Sequence, residues 1–266
     1  MATIGASLGD EAVSVGRVYA RAFATIAHNP VATLGLALLL GALPGLLMTW
    51  LMQSTAQTDF AERTPGYAIG VGAIFLLSYV VTLILTALVQ GSLTRATVAE
   101  SEGRKASLGE CLSAALPVAL PLVGLVILWA LGIIFAAFFL LVPAVILMCM
   151  WAVAVPVMVD ERVGIGTAFG RSRALTKGNR WRVLAVLLIL LIGYFLLNAV
   201  AGLFLGAAAV FGAEQGPSLT ASFVVTNIIT GTLFSALWGT LAPSMYVDLR
   251  DAKEGGSMGD LQQVFS

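Results

Sequence analysis

Charged residues are scarce in this chain of 266 residues. Asp, Glu, Lys and Arg together make up 11% of it, hydrophobic residues make up 59%, and the mean hydropathy is +0.97. A soluble domain carries about 25% charged residues, so this composition excludes a water-soluble globular fold and indicates a membrane protein. The formal net charge is zero, and we expect no nucleic-acid partner. What matters is the side of the membrane on which each charge lies.

Histidine and cysteine, which serve most often in catalytic and metal sites, are nearly absent. The chain has one histidine, His28, and two cysteines, Cys111 and Cys149. No serine has a histidine nearby, no cysteine pair has zinc spacing, and no glycine-rich loop resembles a phosphate cradle. We therefore predict a protein that is not an enzyme, with no catalytic residue, no metal and no cofactor. Both cysteines are expected to be buried and reduced rather than joined in a disulfide.

Six apolar stretches reach or approach the roughly 20 residues that a membrane-spanning helix needs. Every charged residue lies outside these stretches, which cover residues 31–52, 67–91, 117–138, 141–158, 183–206 and 222–245. The fifth apolar run continues to Gly212, so the sequence leaves open where that helix ends. The predicted fold is an all-α polytopic membrane bundle with six transmembrane helices.

Lysine and arginine are distributed very unevenly between the connecting segments. With both termini in the cytoplasm, thirteen of the fourteen cations lie in cytoplasmic segments and Arg63 alone lies outside. Membrane proteins concentrate Lys and Arg in their cytoplasmic loops. The sequence therefore predicts a multi-pass protein whose N and C termini are both cytoplasmic.

Three cytoplasmic segments are predicted to form amphipathic helices that lie in the membrane interface. In the first and third, apolar residues recur at the i, i+3, i+4 spacing of one helical face. The second opens with Ser107 and Glu110, the spacing of a capping box. The segments cover residues 12–28, 107–116 and 165–177.

The same three segments suggest an internal repeat within a single membrane domain, residues 1–266. The strings "SVGRVYARAF" (14–23), "SLGECLSAAL" (107–116) and "GIGTAFGRSR" (164–173) each begin with a small residue, an aliphatic residue and glycine. Three units would each contain an interfacial helix followed by a hairpin of two membrane helices. Their bounds would be 12–91, 107–158 and 165–245. Chance similarity between short strings rich in Ala and Gly is the alternative.

One short segment holds more than a third of all the Lys and Arg. Five cations fall within twelve positions: Arg171, Arg173, Lys177, Arg180 and Arg182. Membrane orientation alone would explain them, but the other cytoplasmic segments already supply eight cations. We therefore predict that these residues bind the headgroups of anionic phospholipids.

Polar residues also occur within the predicted spans. A stripe four residues apart follows helix 2, and helices 5 and 6 carry one amide each: Ser78, Thr82, Thr86 and Gln90, then Asn198 and Asn227. These positions could line the path of a transporter. Alternatively, the hydroxyl groups bond to carbonyls of their own helix. We expect the two asparagines to pair with each other, because an amide in hydrocarbon needs a partner.

The tail 248–256 has two interpretations. It is either the solvated end of helix 6 or a docked segment in which Asp248 or Asp251 binds Arg171 or Arg173.

Three stretches resemble a known family: "AVPVMVDE" (154–161), "AFGRSRALTKGNRW" (168–181) and "MYVDLRDAKEG" (245–255). They are similar to the membrane domain associated with bacterial glycerophosphoryl diester phosphodiesterases. The resemblance implies a bundle in the bacterial inner membrane. It does not imply diesterase activity, which belongs to a separate catalytic barrel with no counterpart here.

Two functions follow from these observations. The first is a non-enzymatic inner-membrane protein whose basic cytoplasmic belt binds anionic membrane lipids or a partner protein, either a second copy of the chain or another membrane protein. The alternative is a transporter or lipid-moving permease that uses the polar stripe of helix 2. A cavity among helices 2, 5 and 6 would favour transport, and a solid core would favour the first function.

Overall fold

Helices account for nearly all of the described chain. The computed structural model describes residues 13–56, 65–139, 141–211 and 221–255, and no strand occurs within these ranges. Six helical stretches in them are long and apolar enough to cross a membrane. The predicted all-α helical bundle is therefore confirmed.

The six spanning stretches alternate in direction and are built from helices of very different length. In chain order the α-helices are α1 Val15–His28, α2 Pro30–Leu36, α3 Leu43–Ala56, α4 Pro65–Ser101, α5 Leu108–Ala115, α6 Ala119–Phe139, α7 Leu141–Met150, α8 Ala154–Glu161, α9 Ile165–Thr176, α10 Arg180–Phe211 and α11 Ala221–Arg250. Helix α10 contains the fifth apolar run as far as Phe211 and has 32 residues. At 1.5 Å per residue it is about 48 Å long, which exceeds the roughly 30 Å hydrocarbon core of a bilayer.

The fourth span is broken in the middle. Helix α7 ends at Met150 and α8 begins at Ala154, with three residues between them. Pro156 explains the break, because a proline has no N–H and its ring clashes with the carbonyl four residues earlier, here that of Ala152. The Met150 carbonyl next to the break accepts a hydrogen bond from the Ser172 hydroxyl of α9, at 2.8 Å. The break in span 4 thus provides the acceptor to which α9 binds.

The first and sixth spans approach each other closely through small residues. A wide π-helical turn, Ala37–Ala42, joins α2 to α3 and lies against α11. A Cβ atom added at Gly41 would overlap the Ser235 hydroxyl, and one added at Gly231 would lie 3.2 Å from the Ala42 Cβ. Glycine is therefore required at Gly41 for the two helices to pack at this distance.

Burial differs sharply between the two ends of the bundle. The described charged residues lie on segments at one end, which we call the charged end, and Leu93, Tyr246 and Leu249 are fully buried near it. Towards the opposite end, Phe138 is 86% and Leu203 is 75% exposed. The helices therefore pack against one another at the charged end and leave apolar surface uncovered further along.

The three short helices α1, α5 and α9 form at the charged end, within the segments in which the sequence predicts helices. Their N-caps are Ser14, Ser107 and Gly164, all with extended backbone, and each is the first residue of one of the three similar strings. The Ser107 side chain accepts a hydrogen bond from the Glu110 amide at 3.2 Å, which is one half of a capping box. The equivalent N-caps favour the internal repeat, which stays a prediction.

The apolar faces of these short helices are covered by the rest of the bundle. Val18 of α1, Cys111 of α5 and Ala168 of α9 are fully buried, and both cysteines are free. Phe169 of α9 packs against Trp151 at the break in span 4, with ring centroids 4.6 Å apart. The expectation that the apolar face of α9 lies in the lipid boundary is therefore wrong, because that face packs on protein.

Candidate functional site

Ion pairs tie α1 to the end of α11. The carboxylate of Asp248 is only 1% exposed, and it accepts a hydrogen bond from Arg17 Nε at 2.5 Å. Arg21 lies one turn further along α1, with Nη1 3.9 Å from the same carboxylate and Nη2 3.6 Å from Asp251. A buried carboxylate needs such partners to stay ionised. The first short helix is thus fixed to the last spanning helix by charge.

A second group of ion pairs joins α8, α9 and the segment that follows α11. Arg171 Nε binds Glu161 at 3.0 Å, and its terminal nitrogen binds Glu254. Hydrogen bonds from the guanidinium to these two carboxylates, Glu254 first, raise the pKa of Arg171 above its ordinary value. The tail is therefore docked on α9, but through neither of the acids that the docked interpretation names: Asp248 and Asp251 both pair with Arg21 of α1. The acid that reaches Arg171 is Glu254, whereas Asp248 turns to α1.

The five clustered cations separate into distinct groups in the structure. Arg171 binds the carboxylates of Glu161 and Glu254. Within the described chain Arg173 and Lys177 are exposed and form no ion pair, while Arg182 is exposed and donates to Asn179 Oδ1 at 2.7 Å. The Nε atom of Arg180 is buried without an acceptor in the same part of the chain.

The turn between α9 and α10 presents the exposed members of this cluster on one short stretch. Gly178 has φ +92°, a left-handed conformation that glycine adopts without strain. The chain then enters α10, where Trp181 is 83% exposed. Arg173, Lys177, Trp181 and Arg182, which we call the basic turn, thus combine three exposed cations with an exposed indole.

Four of the predicted polar positions within the spans donate hydrogen bonds to carbonyls of their own helices. Thr82 donates to the Ser78 carbonyl at 2.9 Å, and Thr86 donates to the Thr82 carbonyl at 2.8 Å. Asn198 and Asn227 each donate to the carbonyl four residues earlier, at 2.8 and 2.9 Å. The expected pair between the two asparagines is not formed, because each amide finds its nearest acceptor within its own helix.

An apolar cavity lies where α4, α6, α10 and α11 meet the break in span 4. It measures about 110 Å³, and three tryptophans, Trp129, Trp151 and Trp238, line it together with aliphatic side chains. Thr86 and Gln90 are the polar groups of the α4 wall, and Gln90 is 9% exposed. Thr86 and Gln90, the two members of the predicted polar stripe nearest the charged end, therefore face a cavity among spans 2, 5 and 6, which are α4, α10 and α11.

A second, polar cavity of about 370 Å³ lies between α4, α5 and the end of α8. Charged groups of both signs line it: Arg95, Glu110, Asp160 and Arg162. Arg95 Nη2 binds Glu110 Oε1 at 3.1 Å, and Arg250 Nη1 binds Asp160 Oδ2 at 2.9 Å. The cavity thus offers both donors and acceptors at the charged end.

Sequence reasoning missed Asp160 and gave Asp248 the wrong partner. Asp160 and Asp248 fall just beyond the apolar stretches, so they look like ordinary loop charges. A signal exists in the strings "PVMVD" (156–160) and "PSMYVD" (243–248), in which proline, methionine and aspartate recur in order. In both, the aspartate binds an arginine at the charged end.

Comparisons of the chain with protein-family models, with curated proteins and with solved structures find no match. In the described ranges no group of three His, Cys, Asp or Glu residues is placed to hold a metal ion. The function therefore has to be inferred from the geometry of the chain itself.

Proposed function

We propose that this chain is a non-enzymatic membrane protein of the bacterial inner membrane, with both termini cytoplasmic, that binds anionic phospholipid headgroups through the basic turn. The bacterial origin is inferred from the family resemblance of residues 154–161, 168–181 and 245–255, and the orientation from the distribution of cations. The charged end would then face the cytoplasm.

One observation carries the proposal: the cations of the charged end differ in whether the chain already uses them. Arg17, Arg21 and Arg171 bind carboxylates of the protein, so a lipid phosphate would have to displace an existing ion pair. Arg173 and Lys177 are exposed and form no ion pair in the described chain. An anionic headgroup would bind Arg173 and Lys177 without displacing an existing ion pair.

The surroundings of these cations suit the headgroup region of a bilayer. Trp181 stands exposed at the start of the long apolar helix α10, and tryptophan prefers the membrane–water interface. A cation close to an anionic leaflet contributes roughly 1 kcal/mol. Arg173 and Arg182 can also hold a phosphate through two parallel hydrogen bonds.

Replacing Arg173, Lys177 and Arg182 together by Gln tests the proposal. We expect the variant to retain less phosphatidylglycerol and cardiolipin after purification in mild detergent, measured by lipid mass spectrometry. The loss should be on the order of tenfold or more, since roughly 1 kcal/mol per cation multiplies across three sites. Ten cytoplasmic cations would remain against one outside, so the orientation should not change.

Arg171→Gln is the matched control. It removes a cation from the same segment, but one that binds Glu161 and Glu254. We expect this variant to lower the melting temperature while it retains anionic lipid. Equal lipid retention by the triple variant and the native protein would refute the headgroup role.

A second candidate function is a transporter or lipid-moving permease, and the apolar cavity among helices 2, 5 and 6 favours it. The cavity of about 110 Å³ is smaller than the roughly 300–1,000 Å³ of typical ligand sites, so transport would require the helices to separate further. Fluorescent-lipid scrambling in proteoliposomes tests this function. If the protein moves lipid, Gln90→Leu should reduce the rate, whereas Asn198→Leu, outside the cavity, should not.

A further inference from the structure

The polar cavity between α4, α5 and α8 has the character of a binding site. Its volume of about 370 Å³ falls within the range of small-molecule sites. Thr94 and Ser113 line it beside charged residues of both signs. We propose that this cavity binds a zwitterionic group made of a phosphate and a primary ammonium, the chemistry of an ethanolamine phospholipid headgroup.

Arg162 is the feature that points to a phosphate. It ends α8 in the left-handed conformation, with φ +50° and ψ +43°, where a side chain is disfavoured and glycine usually stands. Arg162 is exposed and lines the cavity, and its guanidinium has no ion pair or hydrogen bond in the described chain. The chain therefore keeps a cation where glycine would fit without strain, and strain of this kind accumulates at functional sites.

The two carboxylates supply the sites for an ammonium group. In the described chain, Arg95 and Arg104 both approach Glu110 through its Oε1 atom. Arg250 and Tyr246 both bind Asp160 through its Oδ2 atom. The second oxygen of each carboxylate has no partner in these contacts. A primary ammonium donates three hydrogen bonds and matches these free acceptors.

The position of the cavity decides what can reach it. It lies at the charged end, where the spanning helix α4 and the short helix α5 meet. A headgroup of the surrounding bilayer and a soluble phosphoethanolamine carry the same chemistry. A choline headgroup has a phosphate but no N–H, and a glycerol headgroup has no cation, so both should bind less well.

The test compares lipids on the full-length protein in nanodiscs of defined composition. Native mass spectrometry should show the unmodified protein retaining phosphatidylethanolamine in preference to phosphatidylcholine. Arg162→Gly should reduce this retention about tenfold, as expected for the loss of a charged hydrogen-bond pair, while it leaves the melting temperature unchanged or raises it through relief of backbone strain. Arg162→Asn should show the same loss of retention, because asparagine also tolerates the left-handed conformation. Agreement between the two variants would show that the loss does not come from misfolding of one of them.

Soluble phosphoethanolamine distinguishes the two sources. A rise in melting temperature with the soluble compound, abolished by Arg162→Gly, assigns the site to a free solute. Retention of the lipid without such a rise assigns it to the bilayer headgroup. Equal retention by Arg162→Gly and the native protein, or equal retention of the choline and ethanolamine lipids, would overturn the proposal.

The site is independent of the basic turn. Arg173→Gln is therefore the control, and it should leave phosphatidylethanolamine retention unaltered. The triple Gln variant of the basic turn should lose phosphatidylglycerol and cardiolipin while it retains phosphatidylethanolamine. Either proposal can thus fail while the other stands.

Discussion

Two acids near the end of α11 illustrate how burial determines the contribution of an ion pair to stability. Asp248 and Asp251 both lie near Arg21, yet the side chain of Asp248 is 2% exposed and that of Asp251 is 59% exposed. Surface ion pairs contribute little because water screens them. A buried carboxylate has lost its hydration, so its partners Arg17 and Arg21 have to replace it.

We therefore expect Asp248→Asn to destabilise the protein by about 2 kcal/mol, below the 3–5 kcal/mol of a fully buried pair because Arg17 is partly exposed. Asp251→Asn, the matched control, should cost less than about 0.5 kcal/mol. Thermal unfolding in one detergent measures both. Equal effects of the two substitutions would show that burial of Asp248 contributes nothing.

At the scale of the helices, periodicity and hydropathy predicted the elements well. All six spans and the three short helices form, because a helix in hydrocarbon must satisfy its own backbone and an amphipathic segment must cover one face. The break beside Pro156, which the hydropathy pattern does not show, has its cause in the missing N–H of proline.

What the sequence could not predict is which partner each face would find. The apolar face of α9 would suit lipid or protein equally, and the Met150 carbonyl that binds Ser172 exists only because span 4 breaks. For the same reason Arg171 was placed among lipid-binding cations, although Glu161 and Glu254 lie 10 and 83 residues away in sequence and meet it only in the fold. Arg173, Lys177 and Arg182 are exposed, and that they bind lipid stays a prediction.

At the scale of the whole molecule, charge and packing coincide at one end. Several acids and bases bind one another across α1, α8, α9 and α11, and apolar residues around them are buried. The far end has exposed apolar surface, which a bilayer would cover. To determine the orientation of the bundle it is therefore enough to determine on which side of the membrane the charged end lies.

Single cysteines introduced at Thr58, Gln215 and Ser257, positions that lie outside the described residues, test this orientation. Because cations stay in the cytoplasm, we expect Thr58→Cys and Gln215→Cys to react with a membrane-impermeant maleimide in intact spheroplasts. Ser257→Cys should react only after permeabilisation, which is its internal control. The native Cys111 and Cys149 are buried, so the background should be low. Labelling of Ser257→Cys in intact cells, without labelling of the other two, would place the charged end outside, where it would not meet the inner leaflet.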